Sequence, residues 1–165
     1  MVLVLGIGDW VLFVSWLLYL GYFSFMSSFH LQIATLERVV FDGEVISVTL
    51  PGEAGEFGVL ARHAPLITPL KTGEITARKD GETFYMAISG GLAEVQPQRV
   101  LVLADQAERA EEIDEELAEE GRRRAEELMR EQREDAGAFE AARIELERAL
   151  LRIKIARKHK SKRSG

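Results

Sequence analysis

Three hydropathy patterns follow one another along the chain. Residues 1–25 are apolar almost throughout, with only Asp9 breaking the run. From Phe29 to Ala104 the apolar residues fall in short runs bounded by glycine and proline: HLQIATL, GEVISVTL, GEITARK, TFYMAIS, GLAEV and RVLVLA. Alternation at Ile75/Ala77 and Val100/Val102 has the period of a half-buried strand. Asp80-Gly81 between two such runs predicts a type I′ hairpin, because both central positions need positive φ. Gln96-Pro97-Gln98 predicts another. Strands joined by local hairpins favour an antiparallel sandwich or barrel over a βαβ sheet.

After Asp105 the period changes to that of a helix. Ala110, Ile113, Leu117, Gly121, Ala125 and Leu128 recur at three- or four-residue spacing and predict one narrow apolar face. Asp135-Ala136-Gly137 interrupts the pattern, which resumes with Phe139, Ala142, Leu146, Ala149, Leu150 and Ile153. Two helices joined by a short loop are the economical solution. Their faces are rich in alanine and glycine, so the seam buries little apolar area and is able to open. The fold class is α+β: an antiparallel β-sandwich over residues 28–105, two antiparallel α-helices over 106–158, and a basic tail at 159–165.

Charge is unevenly distributed. The 165-residue chain carries 21 Lys and Arg against 27 Asp and Glu, a net charge of −6, which argues against a generic nucleic-acid binder. Residues 105–135 hold 14 acids and 6 bases, whereas 138–165 hold 3 acids and 9 bases. Blocks of opposite sign pair with each other or with a charged partner. There is no cysteine, which excludes disulfides and thiolate chemistry.

Little in the chain suggests catalysis. His30, His63 and His159 are scattered without an i,i+4 partner, so no metal site is indicated. Gly90-Gly91 lies between strands, and no GxxxxGK[ST] loop is present to cradle phosphate. No nucleophile, base and orienting group can be assembled, so the chain by itself is not an enzyme.

Residues 1–25 are long enough to cross a bilayer, since about 20 apolar residues suffice. They lack the basic region and small-residue cleavage site of a secretory signal. No Lys or Arg precedes Arg38 to orient a span. The stretch is therefore read as lying upstream of a natural start at Met26, with a membrane span as the alternative.

The most specific block is GEFGVLARHAPLITPL, residues 55–70. On residue type alone, Glu56 is an exposed turn acid and His63 a structural histidine. As a block it resembles the signature of the epsilon-subunit family of bacterial F-type ATP synthases, a G-E-hydrophobic-G turn followed by H-A-P-L. SGGLAEVQPQRVLVLAD and AERAEEIDEELA are similar to that family's next blocks, in the same order, so the resemblance spans residues 28–158. It implies a flattened ten-stranded sandwich followed by a helical hairpin. It also implies a non-catalytic rotor subunit of a proton-translocating complex, bound to the gamma subunit and the c-ring at the cytoplasmic face of the bacterial inner membrane. Membrane contact would be indirect, and catalysis would lie on the beta subunits of the alpha/beta assembly.

By the same resemblance Glu56 faces the c-ring and His63 lies near gamma. The helical hairpin is a switch: folded on the sandwich it permits turnover, and extended it carries Arg148, Arg152, Lys154, Arg157 and Lys158 to an acidic segment of beta and blocks ATP hydrolysis. In some members ATP is a regulatory ligand of the folded form. Glu108, Ile113, Asp114, Ala118, Arg124, Arg148 and Arg152 match positions of that site. Leu117 stands where its motif has arginine, and the neighbouring glutamates repel triphosphate. No other cofactor is implied. The rival from another class is a membrane-anchored adhesion or scaffold protein whose hairpin is a docking arm.

Overall fold

The structure, a computed structural model, describes residues 27–163; the expectations for residues 1–25 and for the last two residues lie outside the described residues. Ten strands come first: β1 (Phe29–Ala34), β2 (Val39–Val45), β3 (Ser47–Gly52), β4 (Gly55–Leu60), β5 (Leu66–Leu70), β6 (Gly73–Lys79), β7 (Glu82–Ile88), β8 (Gly91–Gln96), β9 (Arg99–Leu103) and β10 (Ala107–Arg109). Two helices follow, α1 (Glu115–Glu131) and α2 (Ala136–Arg163). The strand order is β10-β7-β6-β3-β5-β8-β9-β1-β2, with β4 also on β3. A single pair, Gly52 with Leu70, joins the β10-β7-β6-β3-β4 leaf to the β5-β8-β9-β1-β2 leaf. All ladders are antiparallel except β1 with β9.

Alternation decides what lies between the leaves. Leu31, Ile33, Val48, Leu50, Ile75, Ala77, Met86, Ile88, Val100 and Val102 all point inward and form one core. Both expected hairpins are present. Asp80 and Gly81 have φ of 39° and 86° between paired Lys79 and Glu82, and Gln96 pairs with Arg99 around Pro97-Gln98. The run GEVISVTL is not one strand: Ile46 separates β2 from β3, where the chain passes between leaves and the Ile46 amide donates to the Arg78 carbonyl oxygen. The sandwich also extends beyond 105, because β10 adds to the edge of β7.

The helical segment differs from expectation in three respects. It starts late: residues 106–114 hold β10 and a turn, so Ala110 and Ile113 precede α1 and do not lie on its face. Helix α2 continues to Arg163, so residues 159–163 are helical and not an irregular tail. The seam is made of small residues, Ala118 and Ala125 on α1 with Ala142 and Ala149 on α2, while Leu117, Leu128 and Leu150 are exposed on its flanks. Gly121 abuts Ala149, and a Cβ there would lie 3.9 Å from that methyl group. Caps set the helix starts. The Asp114 carboxylate accepts from the amides of Glu116 and Leu117, and Asp135, in the predicted break, accepts from those of Gly137 and Ala138.

One glycine is needed where β8 begins against β9. Gly91 has φ +125°, and a Cβ on it would lie 2.3 Å from the Leu103 carbonyl oxygen. Gly58 on β4 has open space around it. Gly91→Ala is expected to cost about 2–4 kcal/mol, from backbone strain added to overpacking. Gly58→Ala should stay within about 0.5 kcal/mol, as surface changes usually do. Chemical denaturation of the two variants checks the contrast, and equal stabilities would contradict it.

Candidate interaction surfaces

The residues singled out from the sequence lie at the β3–β4 strand pair and at the helical hairpin, and the structure adds a further surface on the β5-β8-β9-β1-β2 leaf. Glu56 follows the β3–β4 turn, where Gly52 pairs with Gly55 and Pro51 with Glu56. Its carboxylate is exposed and has no side-chain partner among the described residues. His63 sits at the other end of the same strand pair, just past Leu60, which pairs with Ser47. Its Nδ1 is 2.8 Å from the Ala64 carbonyl oxygen, and the Arg62 amide donates to the Pro97 carbonyl. The two residues therefore cannot share one contact.

The second surface is the outer face of the β5-β8-β9-β1-β2 leaf. Its register aligns Pro69, Leu92, Leu103, Ala34 and Val39 in one row across five strands. Leu103 is 52% and Val39 53% exposed, and Ile67 in the next row is 67% exposed. Further down, the same face turns polar. Gln32 donates to Asp42, Arg99 donates to Gln32, and His30 lies within 3.6 Å of Asp42 and Glu44. A contiguous exposed apolar row with a polar margin marks a protein contact.

The third surface is the hairpin closed over β6 and β7. Tyr85 and Ala87 point away from the sandwich interior, yet they are buried with Ala110, Ile113, Ile155 and Ala156. Around this apolar patch the cations of α2 meet acids on other elements. Arg152 Nε donates to Glu108 Oε2 at 2.7 Å and its Nη2 to Oε1 at 3.1 Å. Lys158 Nζ is 2.5 Å and Lys154 Nζ 4.0 Å from Glu74. Arg157 reaches Glu115 at 2.7 Å and Glu119 at 3.0 Å, and Lys160 reaches Glu115 at 2.6 Å. Arg148 alone of the expected inhibitory cations pairs within its own helix, with Glu145. Lys158 and Lys162 also lie over the Tyr85 ring. Glu74 and Tyr85 escaped the sequence reading, although alternation about Ile75 places both on the outer side of the leaf.

The candidate nucleotide positions are only partly brought together. Glu108, Arg148 and Arg152 line a 520 Å³ cavity with Thr35, Arg38 and Ser89. Ile113 is packed in the Tyr85 patch, Asp114 is committed as a cap, Ala118 is buried in the helix seam, and Arg124 is exposed away from the cavity. Arg152 is already neutralised by Glu108, and Leu117 supplies no donor. This arrangement does not fit a triphosphate. Among the described residues no cluster of three or more His, Asp or Glu could hold a metal, and no helix is long and apolar enough to cross a membrane.

Two acids of the connecting segment and α1 titrate low. A hydrogen bond from Arg38 holds Glu112 below the usual carboxylate range, and hydrogen bonds from Lys160 and Arg157 do the same for Glu115. A carboxyl whose pKa falls on folding adds stability that is complete above its unfolded pKa, near 4.3 for Glu. That stability is lost as pH falls through the lower folded value. The thermal midpoint of the helices, followed by circular dichroism, should therefore hold steady from neutrality to about pH 5 and fall below it. Combined Glu112→Gln and Glu115→Gln should flatten that acid limb, and an unaltered limb would contradict the assignment.

Residues 28–110 match the family model described as ATP synthase, Delta/Epsilon chain, beta-sandwich domain. The chain is 47% identical over 127 residues to the ATP synthase epsilon chain of Herpetosiphon aurantiacus, covering 77% of this chain and 93% of that one. To the epsilon chain of Moorella thermoacetica it is 48% identical over 134 residues, covering 79% and 98% respectively. Among solved structures, one chain of the Euglena gracilis mitochondrial ATP synthase, OSCP/F1/c-ring, is similar with a TM-score of 0.65 and 26% identity, covering 73% of this chain and 76% of that one.

Proposed function

The chain belongs to the ATP synthase delta/epsilon family, and from that premise we propose that it is the epsilon-type rotor subunit of a proton-translocating F-type ATP synthase, non-catalytic, peripheral, and held at the cytoplasmic face of a bacterial membrane through the complex. The relatives above all carry the ATP synthase name, and the adhesion or scaffold alternative gains nothing from them.

The observation that carries the division of labour is the separation of the surfaces. The apolar row from Pro69 to Val39 suits a large, permanent contact, because it is rimmed by polar groups and stays exposed with the hairpin closed. We assign it to gamma, with His63 beyond the opposite, polar end of the same leaf, and the Glu56 turn to the c-ring. The alpha/beta assembly is the partner of the hairpin. Arg148, Arg152, Lys154, Arg157 and Lys158 would reach the acidic segment of beta only when α2 leaves the sandwich. In the closed hairpin four of those five are tied to acids outside α2.

Removing everything after Ala110 tests this arrangement, since β10 completes the sheet there. The truncated subunit should still co-purify with gamma and the c-ring and sustain coupled synthesis, while ATP hydrolysis rises severalfold. Loss of assembly would place the rotor contacts on the hairpin instead.

Closure of the hairpin is proposed not to need nucleotide, because the Glu108–Arg152 pair would have to break before phosphate could enter. Calorimetry of the full chain with ATP should give no saturable heat at micromolar ligand. A micromolar dissociation constant would overturn the proposal.

A further inference from the structure

The register of the β10-β7-β6 leaf sets two acids on either side of Ala87: Glu74 is its partner on β6 and Glu108 its partner on β10. Arg152 of α2 donates to Glu108 and Lys158 donates to Glu74, with Lys154 also 4.0 Å from Glu74. Two strand spacings separate the acids, about 9.5 Å. Six residues separate the cations, and a helix advances about 9 Å over six residues. The spacing of the acids on the sheet thus matches the spacing of the cations on the helix. Between them Ile155 and Ala156 sit on Tyr85 and Ala87, fully buried.

We infer that Glu74 and Glu108 form a two-point clamp that holds α2 closed on the sheet. The apolar contact sets the register: one turn away, Leu151 and Arg152 would replace Ile155 and Ala156 on Tyr85 and Ala87. The two ion pairs add to closure at that register. The Glu74 side chain is only 10% exposed, and its remaining bond is from the Thr76 hydroxyl at 3.0 Å. Glu74 lies on the outer face that α2 covers, so its pair with Lys158 is shielded from water only while the hairpin is closed, and opening the hairpin forfeits that pair. Lys158 also gains the face of Tyr85, 4.5 Å from its ammonium. Under the rotor reading, which this inference rests on, the clamp withholds Arg152 and Lys158 from the beta subunit for as long as the hairpin is closed.

The clamp can be tested on the full chain without any partner. The sequence has no cysteine, so dyes can be attached through Glu82→Cys on β7 and Glu134→Cys between the helices, and energy transfer then reports the open and closed populations. Glu74→Gln should raise the open-to-closed ratio about tenfold, as expected for losing a charge-assisted bond at a nearly buried site. Lys158→Gln, on the helix and harmless to the sandwich, should do the same. The exchange Glu74→Lys with Lys158→Glu should return the ratio to within about twofold of the parent, the pair being restored with reversed sign. Glu147→Gln, an exposed acid of α2, should change nothing. A ratio for Glu74→Gln and Lys158→Gln equal to that of Glu147→Gln would overturn the clamp, as would failure of the exchange to restore closure. Because neither gamma nor the catalytic subunits are involved, that failure would leave the rotor reading standing.

Discussion

Tyr85 and Ala87 point outward from the sandwich and must nevertheless be kept from water, so β7 needs a cover on both of its faces. Its inner side is satisfied by the core through Phe84, Met86 and Ile88. Its outer side is covered by Ile155, Ala156 and the partly buried Leu151 of α2, with Ala110 and Ile113 of the connecting segment. The position of the whole hairpin follows from this requirement. Helix α2 must lie over β7, and α1 must then pack on α2 from the far side. The alanine seam lets the helices approach closely and contributes little apolar area. Docking on β7 thus supplies cohesion that the hairpin lacks on its own.

Charge adds a second element to this cover. Here the apolar patch is small, and acids on β6, β10 and α1 ring it against cations on α2. Surface pairs such as Arg157 with Glu115 are individually worth little. Glu74 differs because α2 shields it from water in the closed state, where it meets Lys158, whose ammonium also lies over the Tyr85 ring. The cations that hold the closed state are those that would brake the complex in the extended state, so the two arrangements compete for one set of side chains. The apolar row on the other leaf stands outside that competition, and a rotor contact there is independent of the hairpin.

Much of this was legible in the chain, and the illegible part has a physical cause. Alternation around Ile75 and Val100 and the Asp80-Gly81 turn express local geometry and appear where they were expected, whereas the helical period begins only at Glu115, because Ala110 and Ile113 serve the patch on β7 from the connecting segment. Strands β4 and β5 were not separable by pattern, since GEFGVL and LITPL mix apolar and polar residues on edges and junctions. The GEVISVTL run concealed the Ile46 crossing because both leaves bury alternate residues through it. Leu117, Leu128 and Leu150 misled because helical period marks a face without saying whether its centre or its flank is buried. At a close-packed seam the centre belongs to alanine. The clue to the cover was present in FYMAI: four consecutive buried residues from Tyr85 to Ile88 break the alternation of a one-sided strand and announce a strand covered on both faces. The ion pairs between α2 and the sheet are contacts across 44 or more residues, and nothing local in the sequence specifies them.

The central claim is that closure of α2 on β7 and braking of the complex exclude each other. A short bis-maleimide joining Glu74→Cys to Lys158→Cys would hold the hairpin shut in the assembled complex, where ATP hydrolysis can be compared before and after cross-linking and against each single-cysteine variant treated alike. The account predicts that the cross-linked complex hydrolyses ATP at the rate of a complex lacking the hairpin, while the same complex left uncross-linked remains inhibited. A cross-linked complex as inhibited as the uncross-linked one would show that the brake acts with α2 still on the sheet, and would contradict it.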